Sequence, residues 1–354
     1  MLAGRRLLTM KEPRRNNTES FDPFTGVTQE RAMMTTMRAI VMDATGTPDV
    51  LRTAEVDKPG RVNAEFLVKV IAAGINPIDA KTRAGRGVSA AITSYPAVLG
   101  NDFSGIVVET PYEAHPIKVG DEVYGMSAVP HLPGSYAEYV AVGSLSIARK
   151  PKALSHVEAA GVPLAALTAW GMVVEVAKAH EGQRMLIHAG SGGVGHFAVQ
   201  FARYFGAHVI STGSERNVGW LTELGAHEAI DYTATRFEDV VSNVDVVIDL
   251  VGNVHDDTGS RSLGVLRPGG LIINAPTGSW PTFLDDAAAA GMRATSYKVS
   301  PDGATLAVIS RLLESGDVRV YVDRVFDLEE AAAAHTALEA GHTRGKIVLK
   351  VSDY

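Results

Sequence analysis

One stretch limits the possible folds of this chain more than any other: Gly190-Ser191-Gly192-Gly193-Val194-Gly195. An apolar run at residues 184–189 leads straight into it. Residues 194–205 follow, with Phe197, Ala198, Phe201, Tyr204 and Phe205 at helical spacing. Gly206 is placed to end that helix. A lone G-x-G-x-x-G says little, but between a buried strand and a helix it reads as a dinucleotide-binding turn. Gly190 is expected to make the tight turn, Gly192 to let the backbone approach a pyrophosphate, and Gly195 to let the helix pack on the sheet. Ser191, Gly193 and Val194 complete the loop, and the helix N-terminus offers N–H groups to phosphate. The alternative is a glycine-rich turn without a ligand.

The surrounding texture agrees. Ser155 with Glu158 makes a capping-box pattern and opens a helical stretch. Strand-like runs at 208–212, 228–231, 244–250 and 270–274 alternate with helical runs at 218–224 and 255–266. That alternation predicts a doubly wound parallel sheet. A helix at 303–315 precedes a strand at 318–326, a helix at 329–339 and a strand at 346–351. Before Ser155 the pattern differs. Short runs at 37–43, 66–73, 105–108 and 136–142, separated by Gly, Pro and Asn, predict a twisted β-domain. Residues 159–177 are apolar but interrupted by Pro163 and Glu175, which favours a core helix over a membrane span.

Residues 1–36 are polar, broken by Pro13 and Pro23, and are expected to form a disordered extension. They lack the apolar run of a secretory signal, and Glu12, Glu19, Asp22 and Glu30 argue against a transit peptide. A cytoplasmic location is expected. The chain has no cysteine, so disulfides, thiol catalysis and Cys-ligated zinc are excluded. Its histidines show no metal-ligand spacing, so no metal site is expected; His188, within a strand, reads as a core residue. A formal net charge of −7 disfavours nucleic acid as a partner.

The next strand should end in an acid if the cofactor carries a free ribose diol. Instead Gly213 stands there, followed by Ser214, Glu215 and Arg216. Ser214 and Arg216 can receive a 2′-phosphate, so NADPH is preferred over NADH. The alternative leaves Arg216 solvated and Glu215 on the ribose.

Several further stretches join the glycine loop: residues 73–79 (AGINPID), 99–105 (LGNDFSG), 119–123 (VGDEV), 134–139 (GSYAEY), 164–170 (LAALTAW) and 345–349 (GKIVL). In kind and order they resemble the medium-chain dehydrogenase/reductase superfamily, in its zinc-free quinone oxidoreductase branch, from Met37 onward. The resemblance implies a Rossmann domain at 156–317, inserted into a GroES-like irregular β-barrel catalytic domain built from 37–155 and 318–354. Zinc-dependent members carry a Cys near Asn76 and a His near Asn101, and neither is present here. Without a Lewis acid the substrate must already be electrophilic, as a quinone or α,β-unsaturated carbonyl is.

By the same resemblance Asn76 is a cleft residue that contacts substrate or the nicotinamide ribose; it can equally be a turn-former before Pro77. Lys81 matches the Asn-Pro-x-Asp-x-Lys pattern of enone reductases and could stabilise an enolate, or it is a surface lysine paired with Asp79. Thr168 is implied at the nicotinamide, or its hydroxyl bonds back within the helix. Tyr232 is implied near the adenosine 2′ side, and Asn253, Asn274 and Lys346 line the cofactor. The implied activity is NADPH-dependent reduction of a quinone or enone by a homodimer joined through residues 292–299. The alternatives are an enoyl-thioester reductase and a non-catalytic NADPH-binding protein of the same fold.

Overall fold

The computed structural model describes residues 35–129 and 132–353. Most of the expected N-terminal extension lies outside them, and the first strand, Thr36–Met42, begins where it stops.

Six strands form a wholly parallel sheet: Arg184–Ile187, His208–Gly213, Glu228–Asp231, Val244–Asp249, Leu266–Asn274 and Arg293–Ser296. Numbered along the chain, they lie in the order 3-2-1-4-5-6. The order reverses beside the first strand, which leaves a crevice at the carboxyl ends of the strands. Side chains alternate between two cores. Met185, Ile187, Val209, Val246 and Ile248 join Phe197 and Phe201 on one face. Leu186, Ile210, Val247 and Ile272 join Phe237 and Trp280 on the other. Burial on both faces is why residues 185–187 and 246–248 of the central strands read as unbroken apolar runs. The helix Gly195–Tyr204 covers the first face and stops before Gly206, whose φ of +86° suits glycine.

A mixed sheet is assembled from two distant parts of the chain. Glu65–Ile75, Asp102–Glu109, Glu122–Met126, Tyr139–Gly143 and Ile147–Arg149 come first; Val322–Asp327 and Lys346–Lys350 come much later. Lys346–Lys350 lies antiparallel to Glu65–Ile75, with Ile347 opposite Ile75, while Asp102 lies opposite Gly74 on the other side. This register brings Asn76, Asp102 and Lys346 to one spot. A small third sheet holds Thr36–Met42 between Leu51–Asp57 and Ala97–Val98.

Several expected elements differ in extent. The strand expected at 270–274 begins at Leu266 and the one expected at 136–142 is Tyr139–Gly143. The helix expected at 255–266 is Thr258–Ser262, continued by a 3-10 turn at Leu263–Val265. The strand expected at 318–326 starts at Val322. Upstream of it, Gln200 satisfies the backbone of Arg319: its Oε1 accepts from Arg319 N–H at 2.8 Å and its Nε2 donates to the Arg319 carbonyl at 2.9 Å. The apolar stretch at 159–177 is split between His156–Ala160, Pro163–Trp170 and the π-helical Gly171–Val176. Among the described residues no helix is long and apolar enough to cross a membrane. The Ser155–Glu158 capping box forms, with Glu158 N–H donating to Ser155 Oγ at 3.2 Å.

Candidate active site

The glycine loop leaves the first strand of the parallel sheet at its carboxyl end. The left-handed residue is Ala189, with φ +51°, so the tight turn falls one residue before Gly190, where it was expected. Gly190 is needed for closeness instead: a β-carbon there would run into Ser211 Oγ. One at Gly195 would strike the Ala189 carbonyl, which allows helix and strand to meet as expected. Gly192 is different. Its nearest neighbour would be the Ala189 carbonyl at 3.4 Å, so its outer face is open. The loop fits a dinucleotide pyrophosphate: an open backbone sits ahead of a ten-residue helix.

The loop is held by side chains from elsewhere. Asn217 Nδ2 donates to Ser191 Oγ and to Ser214 Oγ, each at 3.1 Å. Arg344 holds Asn217 in turn, with Nε 3.0 Å from Asn217 Oδ1 and Nη2 2.9 Å from the Arg216 carbonyl, and it stacks over Trp220. Ser214, Arg216, Asn217 and Arg344 therefore gather at one rim. Arg216 Nη2 donates to the His342 carbonyl at 2.5 Å. Gly213 packs against Leu221, whose Cδ1 would lie 2.8 Å from a β-carbon, so a side chain here would have to displace it. Tyr232 stands 60% exposed just past the third strand, its N–H bonded to the Gly213 carbonyl. Asn274 donates to Asp249 Oδ2 at 2.8 Å at the carboxyl edge of the sheet. Asn253 bonds to Ser260 through both its amide nitrogen and its oxygen.

Behind the loop is a cluster of buried charge. Lys346, 3% exposed, passes beneath Gly193 and donates from Nζ to the Ile75 carbonyl at 2.9 Å and to Asn76 Oδ1. It lies 3.6 Å from Asp102 Oδ2. Asp102 is fully buried and accepts from Asn76 Nδ2 at 2.9 Å and from Leu164 N–H at 2.8 Å. Burial pushes the Asp102 carboxyl up and the Lys346 ammonium down, and each charge counters the shift of the other. Gly345 N–H donates to the Ser191 carbonyl at 2.9 Å, which ties the strand that carries Lys346 to the loop. Asn76 is thus a buried connector, 1% exposed, with both ends of its amide engaged.

One hydrogen bond further on, a small pocket opens between apolar walls that include Ile92, Leu99 and Val129, with Asp79, Thr82 and Asn101 as polar groups. Asn101 Nδ2 faces the Ala128 carbonyl at 3.3 Å and Ser127 Oγ at 3.5 Å. Lys81 is half-buried on the helix Pro77–Arg83, beside this pocket rather than in its wall, and burial lowers its ammonium pKa. It forms no ion pair with Asp79, whose carboxylate turns to Asn76 N–H and Tyr136. Thr168 Oγ1 donates to the Leu164 carbonyl at 2.6 Å, leaving its lone pairs as acceptors. His188 is a core residue, held between Thr212 and Ser262, and burial lowers its pKa to about 4. Asp79, Asp102, Tyr136 and Arg344 were not singled out from sequence. Their positions in the quoted INPID, GNDFSG and GSYAEY stretches, and just before GKIVL, were the available sign.

Comparison with known proteins places this geometry. Residues 62–152 match the alcohol dehydrogenase GroES-like domain and residues 224–349 the zinc-binding dehydrogenase family. The chain is 32% identical to a zebrafish (Danio rerio) protein named NAD(P)H oxidoreductase RTN4IP1, mitochondrial, over 91% of its own length and 93% of the relative's. It is 36% identical to 2-methylene-furan-3-one reductase of tomato (Solanum lycopersicum), covering 86% and 76% of the two chains. The solved quinone oxidoreductase of Coxiella burnetii superimposes with a TM-score of 0.85 at 38% identity, covering 90% of this chain and all of that one. With its GroES-like sheet, its 3-2-1-4-5-6 parallel sheet and these relatives, the chain belongs to the medium-chain dehydrogenase/reductase superfamily, in its quinone oxidoreductase branch.

Proposed function

We propose that the protein is an NADPH-dependent reductase that passes a hydride to a quinone or α,β-unsaturated carbonyl compound and needs no zinc. The observation that carries this reading is the adjacency of two sites. An open dinucleotide loop lies over Lys346, and Lys346 connects through Asn76 to an apolar pocket with hydrogen-bonding groups at Asp79, Thr82 and Asn101. NADPH, when bound, supplies the hydride. The chain's own residues bind and orient. The loop from Gly190 to Gly195 takes the pyrophosphate, and Ser214, Arg216 and Arg344 take the 2′-phosphate. Tyr232 stands beside the adenosine, while Asn253, Asn274 and Thr168 line the path to the cleft. A conjugated acceptor spreads the incoming charge over its own π-system, so hydrogen-bond donors suffice to stabilise it without a Lewis acid. The amide of Asn101, already directed at Ser127 and Ala128, is a poor metal ligand, and no cysteine is available.

The remaining parts of the reading follow the same lines. Segments 37–155 and 318–354 make the catalytic domain, 156–317 the cofactor domain, and residues 1–36 stand outside both. Arg293–Ser296 is an edge strand of the parallel sheet, and a second copy pairing there would make a homodimer; a monomer by light scattering at micromolar concentration counts against it. The location proposed is cytoplasmic, and mitochondrial import of a full-length fluorescent fusion would overturn that. The activity is tested by following NADPH oxidation across quinones, alkenals and enones. Turnover of a saturated alcohol in preference to all of these would sink the reading.

A further inference from the structure

We propose that Asp79 is the acid that protonates the reduced substrate. This rests on the activity proposed above and adds the source of the proton. Hydride addition forms a C–H bond at the β-carbon of an enone and leaves an enolate, so one proton must still arrive at the α-carbon. The structure assigns it by direction. Asp79 is 3% exposed and lies in the pocket wall. Its Oδ2 accepts twice, from Asn76 N–H at 2.8 Å and from Tyr136 OH at 3.1 Å. With both donating there, a proton carried by this carboxyl sits on Oδ1, for which no hydrogen bond is found among the described residues.

The surroundings fix that direction. Tyr136 OH lies 3.2 Å from His335 Nε2. With the tyrosine O–H donating to Asp79 Oδ2, the Nε2–H tautomer of His335 donates to the tyrosine oxygen, and every hydrogen on the chain points toward Oδ2. Burial, with the Tyr136-side charge of Asp79 and Asp102, keeps the phenol protonated. Burial and the charge of Arg83 keep His335 neutral, with its pKa at about 3. Arg83 itself is paired with Glu339. Asp79 also faces Asp102 and Lys346 across the buried cluster. Burial raises its pKa to about 7, with Asn76 N–H, Lys346 and Tyr136 opposing and Asp102 assisting. It therefore carries its proton in a good fraction of molecules at neutral pH, the condition a general acid needs. In the step, the Oδ1–H bond breaks as the α-carbon–H bond forms. NADPH is oxidised, the C=C bond is reduced, and the carboxylate regains a proton from solvent after product leaves.

Asp79→Asn keeps the shape and an acceptor for Tyr136 but has no acidic proton. The full-length enzyme is given NADPH and a 2-substituted enone in D2O. Wild type is expected to place deuterium on one face of the α-carbon, with kcat falling as pH rises through about 7. Asp79→Asn is expected to lose that falling limb, to lower kcat roughly 100-fold and to label both faces, with NADPH affinity unchanged. Tyr136→Phe removes a donor that favours the carboxylate, so its limb should move to higher pH with facial selectivity retained. Wild-type pH profile and selectivity in Asp79→Asn would overturn the role of Asp79 alone, as would a limb that moves down in Tyr136→Phe. A wild type that oxidises no NADPH with any quinone or enone takes down this inference together with the activity.

Discussion

The two halves of the proposed active site, the proposed cofactor side and the proposed cleft, are built from different materials. On the cofactor side the working surface is backbone: an open turn at Gly192 and a helix N-terminus, with polar side chains arranged at an accessible rim. On the cleft side it is the ionisable side chains of Asp79, Asp102 and Lys346, joined by the amide of Asn76, all removed from water and no more than 3% exposed. A backbone site tolerates loss of one side chain and fails when the chain cannot pass. A buried charge cluster tolerates almost nothing, because each member left alone bears the full cost of desolvation.

Four experiments can break or sharpen that contrast. The largest effect is expected from Lys346→Met, which leaves Asp102 without its cation; stability measured by urea unfolding should fall by about 3–5 kcal/mol. A loss below about 1 kcal/mol would mean the cluster is not a charge cluster in the sense argued.

Acid should separate the halves next. His188 and His196, both in the cofactor half, are held neutral by burial with pKa values lowered to about 4. Depressed values mean stability present above the unfolded pKa of about 6.5 and lost as pH falls toward 4. In the cleft half His335 shares that liability, but the raised carboxyl of Asp79 has the opposite sign: its contribution is present at low pH and lost as pH rises through about 7. Hydrogen exchange at pH 5 should therefore show the strands Arg184–Ile187 and His208–Gly213 losing protection before Glu65–Ile75. Simultaneous loss, or the reverse order, refutes the separation.

Glycine substitutions come third. Gly195→Ala meets the Ala189 carbonyl and should cost about 1–3 kcal/mol in thermal or urea unfolding. Gly192→Ala meets nothing closely and should stay within about 0.5 kcal/mol of wild type while weakening NADPH binding, as titration would show.

The smallest effects belong to the rim. Arg216→Ala should raise KM for NADPH roughly 10-fold, as loss of one charged hydrogen bond does, and change KM for NADH little, while Arg344→Ala should raise both, NADPH the more. Arg344→Ala should be the more severe, because it also releases Asn217 from Ser191. Equal effects on both cofactors would remove the 2′-phosphate from this rim.

The same division governs what could be read from sequence. The glycine loop, the helix Gly195–Tyr204 and the helix Gly303–Ser315 are local patterns, set by neighbours a few residues away, and they lie where the pattern put them. Lys346 was legible as a cofactor-lining residue only through resemblance, and its bond to Asn76 was not legible at all. Those residues meet because two strands far apart in the chain share a register. Asp79 reads as an ordinary N3 acid of a short helix until Tyr136 is seen against it. The strand Leu51–Asp57 escaped notice although Thr53-Ala54-Glu55-Val56-Asp57 alternates polar and apolar, because Ala, Glu and Asp are poor strand formers and only Leu51 is fully buried. The helix Pro77–Arg83 was hidden for a different reason: Asn76-Pro77 signals a turn as readily as a cap.

The strand Lys346–Lys350 has a consequence for how the molecule comes to exist. Its first residue donates to the carbonyl of Ile75, synthesised 271 positions earlier, and supplies the cation beside Asp102. During translation Asp102 and its neighbours wait, wetted and unpaired, while the whole parallel sheet emerges and folds. The reducing cleft is therefore shut by a late arrival, and a nascent chain stalled before that point would hold a nucleotide turn with no competent place for substrate.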